Sequence, residues 1–256
     1  MTQVTRRDIV EGLRQLGVSS GDVILVHSSL KRFGRVEGGV ETVIDALLEA
    51  VGPNGTVMAP TLTGAADHNA ANPPVFDVRE TPCWTGIIPE TFRQRPEAVR
   101  SLHPTHSVAA IGPHAEYLTK DHHTCQTPCG PDSPYLRLVE LDGKVVFLGV
   151  SLSSCTLLHG VEELAQVDYH MQAEPATAAV TDTSGRVRRV TAYLHLWRTA
   201  RQYPVLEPIL LEEGILTIGK IGDAEIRVLR AKPTVDRVLN ILKDQPRFLC
   251  KPDEKT

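Results

Sequence analysis

Residues 21–61 read GDVILVHSSLKRFGRVEGGVETVIDALLEAVGPNGTVMAPT, and this stretch decides the fold. Asp22 leads into Val23-Ile24-Leu25-Val26, a short, largely β-branched run with no polar alternation. Such a run reads as a buried strand. His27-Ser28-Ser29-Leu30 follows it, with Gly34, Gly38 and Gly39 just beyond. Val40, Val43, Ile44, Leu47 and Leu48 then recur at helical spacing. The turn from Gly52 to Gly55 delivers the chain into Thr56-Val57-Met58-Ala59, a second strand. Strands alternating with helices in this way indicate an α/β core.

Outward from this unit, Ile9, Val10, Leu13 and Leu16 mark a helix over 5–17 that Gly17 stops. Residues 60–85 are rich in Pro, Asn, Asp and Gly, a long polar excursion of the type that is usually functional or disordered. A short helix is expected at 88–95, an apolar run at 108–111, a loop at 120–134 and a helix at 135–141. Val145-Val146-Phe147-Leu148-Gly149-Val150 is the clearest buried strand, and Leu157, Leu158, Val161 and Leu164 mark the helix after it. The remainder changes character. Ala178 to Val180 and Val187 to Val190 flank Thr183-Ser184-Gly185, a hairpin. Residues 193–213 read as helical with a break near Pro204. A second hairpin at 215–219 and 225–229 and a helix at 233–242 complete the chain, giving the α/β core a smaller α+β C-terminal extension.

At 256 residues the chain is long enough for a sizeable core. Its net charge of -4 supplies no basic field for nucleic acid or an anionic membrane. The N-terminal segment lacks the apolar stretch of a signal peptide, and no window approaches the roughly 20 apolar residues of a membrane span, so a cytoplasmic location is expected. Five scattered cysteines argue against a disulfide framework.

Four stretches carry candidate chemistry. His27-Ser28-Ser29 with its glycines offers backbone amides to a phosphate or carbonyl oxygen, or is simply a tight strand-to-helix turn. Thr156-Leu157-Leu158-His159-Gly160-Val161-Glu162-Glu163 lies where a strand ends and a helix begins. There His159 and Glu162 share a helix face, and a carboxylate beside an imidazole orients it and raises its basicity. Arg100-Ser101-Leu102-His103-Pro104-Thr105-His106-Ser107-Val108 sets histidines and hydroxyls in a turn. His122-His123-Thr124-Cys125-Gln126-Thr127-Pro128-Cys129 contains zinc-ligand types, but three residues separate its cysteines and no matching second pair follows. No Gly-x-Ser-x-Gly elbow supports a serine hydrolase.

Taken in order, the stretches at 21–61, RSLHPTHSVAAIG at 100–112, GPDSPYLRLVELDGKVVFLGV at 130–150 and CTLLHGVEE at 155–163 resemble the aminoglycoside 3-N-acetyltransferase family. The resemblance covers most of residues 5–170 and is loose in the C-terminal third. It implies an α/β fold, a central mixed sheet flanked by helices, distinct from the commonest N-acetyltransferase fold. It further implies a single acetyltransferase domain over 1–256, with an acyl-CoA-binding and catalytic core at 1–170 and a C-terminal part at 171–256 that shapes the acceptor site. The implied reaction is acetyl transfer from acetyl-CoA to an aminoglycoside amine, conferring resistance, without a metal, by a monomer or homodimer. His159 falls on the family's catalytic base, and Thr156 and Glu162 on the matching threonine and glutamate. His27, Ser28, Ser29, Leu30, Val36, Gly38 and Gly39 fall on the CoA-holding segment, and Thr105 and Ser107 in the turn near the pantetheine arm. A polycationic acceptor needs carboxylates, for which Asp67, Glu162, Glu163 and Asp168 are the candidates. Some family members carry acidic residues after the first hairpin, whereas residues 193–201 here read YLHLWRTAR, with Trp197 expected in the core. An aminoglycoside and another small amine therefore both stand as acceptors, with a non-catalytic CoA-binding or metal-binding protein as the reading from another class.

Overall fold

The computed structural model describes residues 3–252. The N-terminal unit is α1 (Arg6–Gln15), β1 (Val23–Ser28), α2 (Gly39–Val51) and β2 (Thr56–Pro60). Thr5 starts α1 through a capping box, its hydroxyl accepting from the Asp8 amide while the Asp8 carboxylate accepts from the Thr5 amide. Then come β3 (Val75–Asp77), α3 (Ile87–Arg93), β4 (Val99–Arg100), β5 (Val108–Ile111) and α4 (Ala115–Thr119). α5 (Pro134–Glu140), β6 (Lys144–Leu148) and α6 (Thr156–Leu164) form the next unit. The chain finishes with β7 (Ala176–Thr181), β8 (Val187–Ala192), α7 (Glu207–Glu212), β9 (Leu216–Ile221), β10 (Ala224–Arg230) and α8 (Ala231–Asp244).

Seven strands form one mixed sheet in the order β4-β5-β2-β1-β6-β10-β9. Its centre is parallel: β1 pairs with β2 on one side and β6 on the other. Antiparallel neighbours close both flanks. The apolar run in β1 is continuous because both faces are covered. Val23 and Leu25 pack into the core shared with α5, α6 and α8, and Ile24 and Val26 into the core shared with α1 and α2. The final hairpin, β9–β10, belongs to this main sheet, beside β6. The first hairpin, β7–β8, stands apart and pairs with β3 from the long polar excursion, giving a second sheet of three strands. The C-terminal third is therefore divided between the two sheets.

Two local expectations change. Residues 193–202 are irregular, and helical structure begins only with the 3₁₀ turn Tyr203–Leu206 that leads into α7. Tertiary bonds hold this segment open: the Tyr193 amide donates to Gln126 O and the Leu196 amide to His170 O. Trp197 is half exposed rather than in the core.

The connections after β1 leave on opposite sides, toward β2 and, later in the chain, β6. The crevice beyond the carboxyl ends of β1 and β6 is thus a topological switch point, where open α/β sheets gather their ligands. His27 and Ser28 end β1, and Gly149 follows β6. Gly149 has φ 71°, and a Cβ there would lie 2.3 Å from Arg32 Cβ, so the turn needs glycine.

Candidate active site

α6 begins in that crevice. Its first amide, from Thr156, donates to His27 Nε2 at 3.3 Å, and the His27 ring stacks on Phe147 at 5.4 Å. Burial pushes the His27 imidazole down to about 3, so it stays neutral and accepts. His27 thus fixes the start of the helix that carries His159. Both residues line one cavity of about 300 Å³, together with Ser28, Trp84, Ser154 and Thr156. The buried Ser28 hydroxyl has no partner among the described residues, which suits a ligand atom in this cavity.

His159 is held from behind. Its Nδ1 lies 2.8 Å from Tyr203 Oη and 3.2 Å from Glu162 Oε2. Tyr203 donates to the same Glu162 oxygen at 2.6 Å, so its oxygen is free to accept from His159 Nδ1–H. Among the described residues nothing bonds Nε2 of His159. The result is an imidazole in a fixed tautomer with an unshared Nε2 lone pair.

Glu162 is fully buried and lies against four polar neighbours. Arg201 Nε donates to Oε1 at 3.3 Å, and His170 Nδ1 lies 3.3 Å from Oε2. Burial alone would raise this carboxyl, but the hydrogen bond and charge of His159, with His170 and Arg201, outweigh it and hold Glu162 at about 2. Arg201 also donates to His170 Nδ1 at 2.7 Å, and burial keeps His170 near 3 and neutral.

Glu163 is a different case. Its carboxyl receives the Cys129 amide at 3.0 Å and meets His195 Nε2 at 2.6 Å, both inside the protein. Burial pushes Glu163 up to about 8 and drives His195 well below its ordinary value. The two hold one proton between them and no net charge. Because the folded value lies above the ordinary 4.5, the group's contribution to stability is complete below 4.5 and is lost as pH rises through about 8. Wild-type Tm is therefore expected to fall relative to Glu163→Gln between about pH 5 and pH 8. Parallel curves in a thermal scan across that range would refute this.

Gly160 lets α6 approach the 125–130 loop. A Cβ would lie 2.6 Å from Cys129 O. Gly160→Ala should cost about 1–3 kcal/mol through overpacking, read as a Tm several degrees lower. It should also loosen the Cys129–Glu163 bond.

The structure scatters the other expected residues. Thr105 bonds to His106 Nδ1 at 2.9 Å, and Ser107 to Thr61 O at 2.8 Å, so both hydroxyls are committed within the fold. Ser29 lines a neighbouring groove with Arg32, Gly149 and Ser151. Leu30 opens a 3₁₀ turn, Val36 forms a bridge to Val4, and Gly38 and Gly39 start α2; none of these lines either cavity. Asp67 is exposed and accepts from Asn72. Asp168 is exposed and paired with Arg247 at 2.9 Å, on a groove with Lys243 and Phe248. A larger cavity of about 730 Å³ lies along the C-terminal half of α6, lined by Asp132, Glu162, Glu163, Gln172 and Tyr193. Tyr203, Arg201, His170 and Asp132 were not among the expected site residues. Tyr203 and Arg201 lie in the segment read as a helix, where no local pattern marks them.

Of possible metal ligands, nitrogens of His159, His170 and His195 lie within 4.8 Å of one another. The His159 and His170 rings are within 15° of parallel at 5.1 Å. Imidazole lone pairs lie in the ring plane, so this pair does not converge on one ion. In the second such group, His106, Cys129 and His195, the His195 Nε2 is taken by Glu163 and burial holds the Cys129 thiol protonated. His122 bonds Ser101 and Pro128 O, away from any joint chelation with His123. The five cysteines are free.

A histidine whose rear nitrogen is held by a buried carboxylate and a phenol thus lines a cavity at the strand ends of an α/β fold, where such folds place their ligand sites. Comparison with known proteins specifies it further. The pattern of the family described as aminoglycoside 3-N-acetyltransferase matches residues 25–243, so the chain belongs to that family. The aminoglycoside N(3)-acetyltransferase III of a Salmonella species is 42% identical over 251 residues, covering 90% of this chain and 83% of that protein. A mutant of the aminoglycoside acetyltransferase AAC(3)-IVa in complex with gentamicin superposes with a TM-score of 0.84 at 31% identity, covering 99% and 94% of the two chains. AAC-IIIb in a binary complex with CoASH gives 0.81 at 28% identity, covering 98% and 100%. Among the described residues no helix is long and apolar enough to cross a membrane.

Proposed function

We propose that this protein transfers the acetyl group of acetyl-CoA to the 3-amine of an aminoglycoside, with His159 as general base. The observation that carries the reading is the His159 Nδ1 held by Tyr203 and Glu162 while Nε2 stays open beside the cavity of Ser28 and Thr156. The relatives' complexes with gentamicin and with CoASH support the two substrates.

In the proposed reaction, Nε2 takes the proton as the amine nitrogen attacks the thioester carbonyl. The C–N bond forms, the carbonyl oxygen gains charge, and the C–S bond then breaks. The leaving thiolate recovers the proton from His159. Glu162, ionised throughout, stabilises the transient imidazolium, directly and through Tyr203. The hydroxyls of Ser28 and Thr156 line the cavity and are the candidate donors to the oxyanion; Ser107 is already committed. Acetyl-CoA would occupy the cavity at Ser28, with its charged end toward Ser29, Ser151 and the exposed Arg32. The test is release of CoA thiol from acetyl-CoA with a panel of aminoglycosides. Turnover with gentamicin-like acceptors supports the reading, and CoA binding without turnover on any of them refutes it.

A further inference from the structure

The chain has two tryptophans, and both are unusually open: Trp84 is 56% and Trp197 50% exposed. Tryptophan is highly buried on average, so two open indoles in contact call for a reason. Their ring centroids lie 6.2 Å apart at 60°, an edge-to-face pair joining the 60–85 excursion to the 193–202 segment. Neither side chain hangs on a loose strand. The Trp84 amide donates to Leu62 O, and its Nε1 donates to Gly64 O at 2.9 Å. Trp197 is bracketed by His195, bonded to Glu163, and by Arg201, bonded to Glu162, with the Leu196 amide on His170 O at 2.7 Å. Trp84 lines the His159 cavity, and Trp197 packs edge-to-face against Trp84.

We infer that Trp84 and Trp197 form the recognition site for a protonated amino-sugar ring of the acceptor, binding its ammonium over an indole face. This rests on the reading of the substrate as an amine. The carboxylates nearest His159 cannot serve that role. Glu162 is fully buried and neutralised by Arg201, and Glu163 shares its proton with His195. An indole face attracts a cation through its quadrupole without carrying charge and without competing for the proton that His159 must take. It therefore grips a remote ammonium while the reacting amine is deprotonated. Trp197, paired with Trp84, thus takes up cation recognition in a segment, residues 193–201, that contains no acidic residue.

The test compares Trp197→Phe and Trp197→Leu with the wild type in the thiol-release assay. The expected result is a KM for the aminoglycoside raised by about 2- to 30-fold in Trp197→Leu, with Trp197→Phe between it and the wild type. KM for acetyl-CoA and kcat should stay within about twofold. An unchanged aminoglycoside KM, equal values for Phe and Leu, or a rise in the acetyl-CoA KM instead would overturn the inference. Tryptophan emission of the wild type, titrated with the same aminoglycoside, separates this from the function itself. A saturable change without turnover keeps the aromatic site and sinks the acetyl transfer. Turnover without any change in emission does the reverse.

Discussion

Replacing His159 with alanine is expected to lower kcat by about 10²–10⁴, the usual worth of general-base action. The side chain is partly open and its loss leaves no buried group stranded, since Tyr203 still donates to Glu162. The variant should therefore fold, with Tm close to the wild type, and should still bind acetyl-CoA at Ser28. Residual turnover is expected because the cavity still places the two substrates together. Steady-state kinetics with saturating acetyl-CoA, beside a CoA-binding isotherm, check both halves. A variant with normal kcat would remove His159 from the mechanism. One that had lost CoA binding as well would mean that the histidine is structural.

The largest effect on stability is expected at Glu162. Glu162→Ala strips the largely buried Arg201 of its counter-charge and leaves the Tyr203 hydroxyl without its acceptor. Removing one member of a buried pair typically costs about 3–5 kcal/mol, because the remaining charge is uncompensated. In a chain of this size that corresponds to a Tm lower by roughly 10 °C or more. Glu162→Ala combined with Arg201→Met should recover part of the loss, which a simple cavity effect would not allow. Glu162→Gln preserves the volume and separates stability from catalysis. In the proposed reaction it removes the negative charge opposite the His159 imidazolium, so kcat should fall by orders of magnitude while the aminoglycoside KM moves little. If Glu162→Gln kept full kcat, the carboxylate would be an anchor for Arg201 and nothing more. The low value of Glu162, about 2, also sets its pH sense: its stabilisation is present above the ordinary 4.5 and is lost only as pH falls toward 2.

Much of the fold was legible in the chain itself. Val23 to Val26 and Val145 to Leu148 read as strands because continuous apolar runs report burial on both faces, and both are central strands. The helices around Val43 and Leu157 read from their period, and His159 with Glu162 from a three-residue spacing that puts them on one face. These are local properties, determined by backbone geometry and by the face each side chain presents. Tertiary structure alone decided which groups meet. Tyr203, Arg201 and His170 reach Glu162 from outside α6, and the bonds of the Tyr193 amide to Gln126 O and the Leu196 amide to His170 O override the local helical pattern at 193–202. Thr105 and Ser107 looked available because a hydroxyl in a turn carries no sign of its partner, and both found one inside the fold. Trp197 looked like core because hydrophobicity reports the tendency to leave water. Whether a surface exists to receive the side chain depends on segments distant in sequence, and here what it meets is another open tryptophan, Trp84.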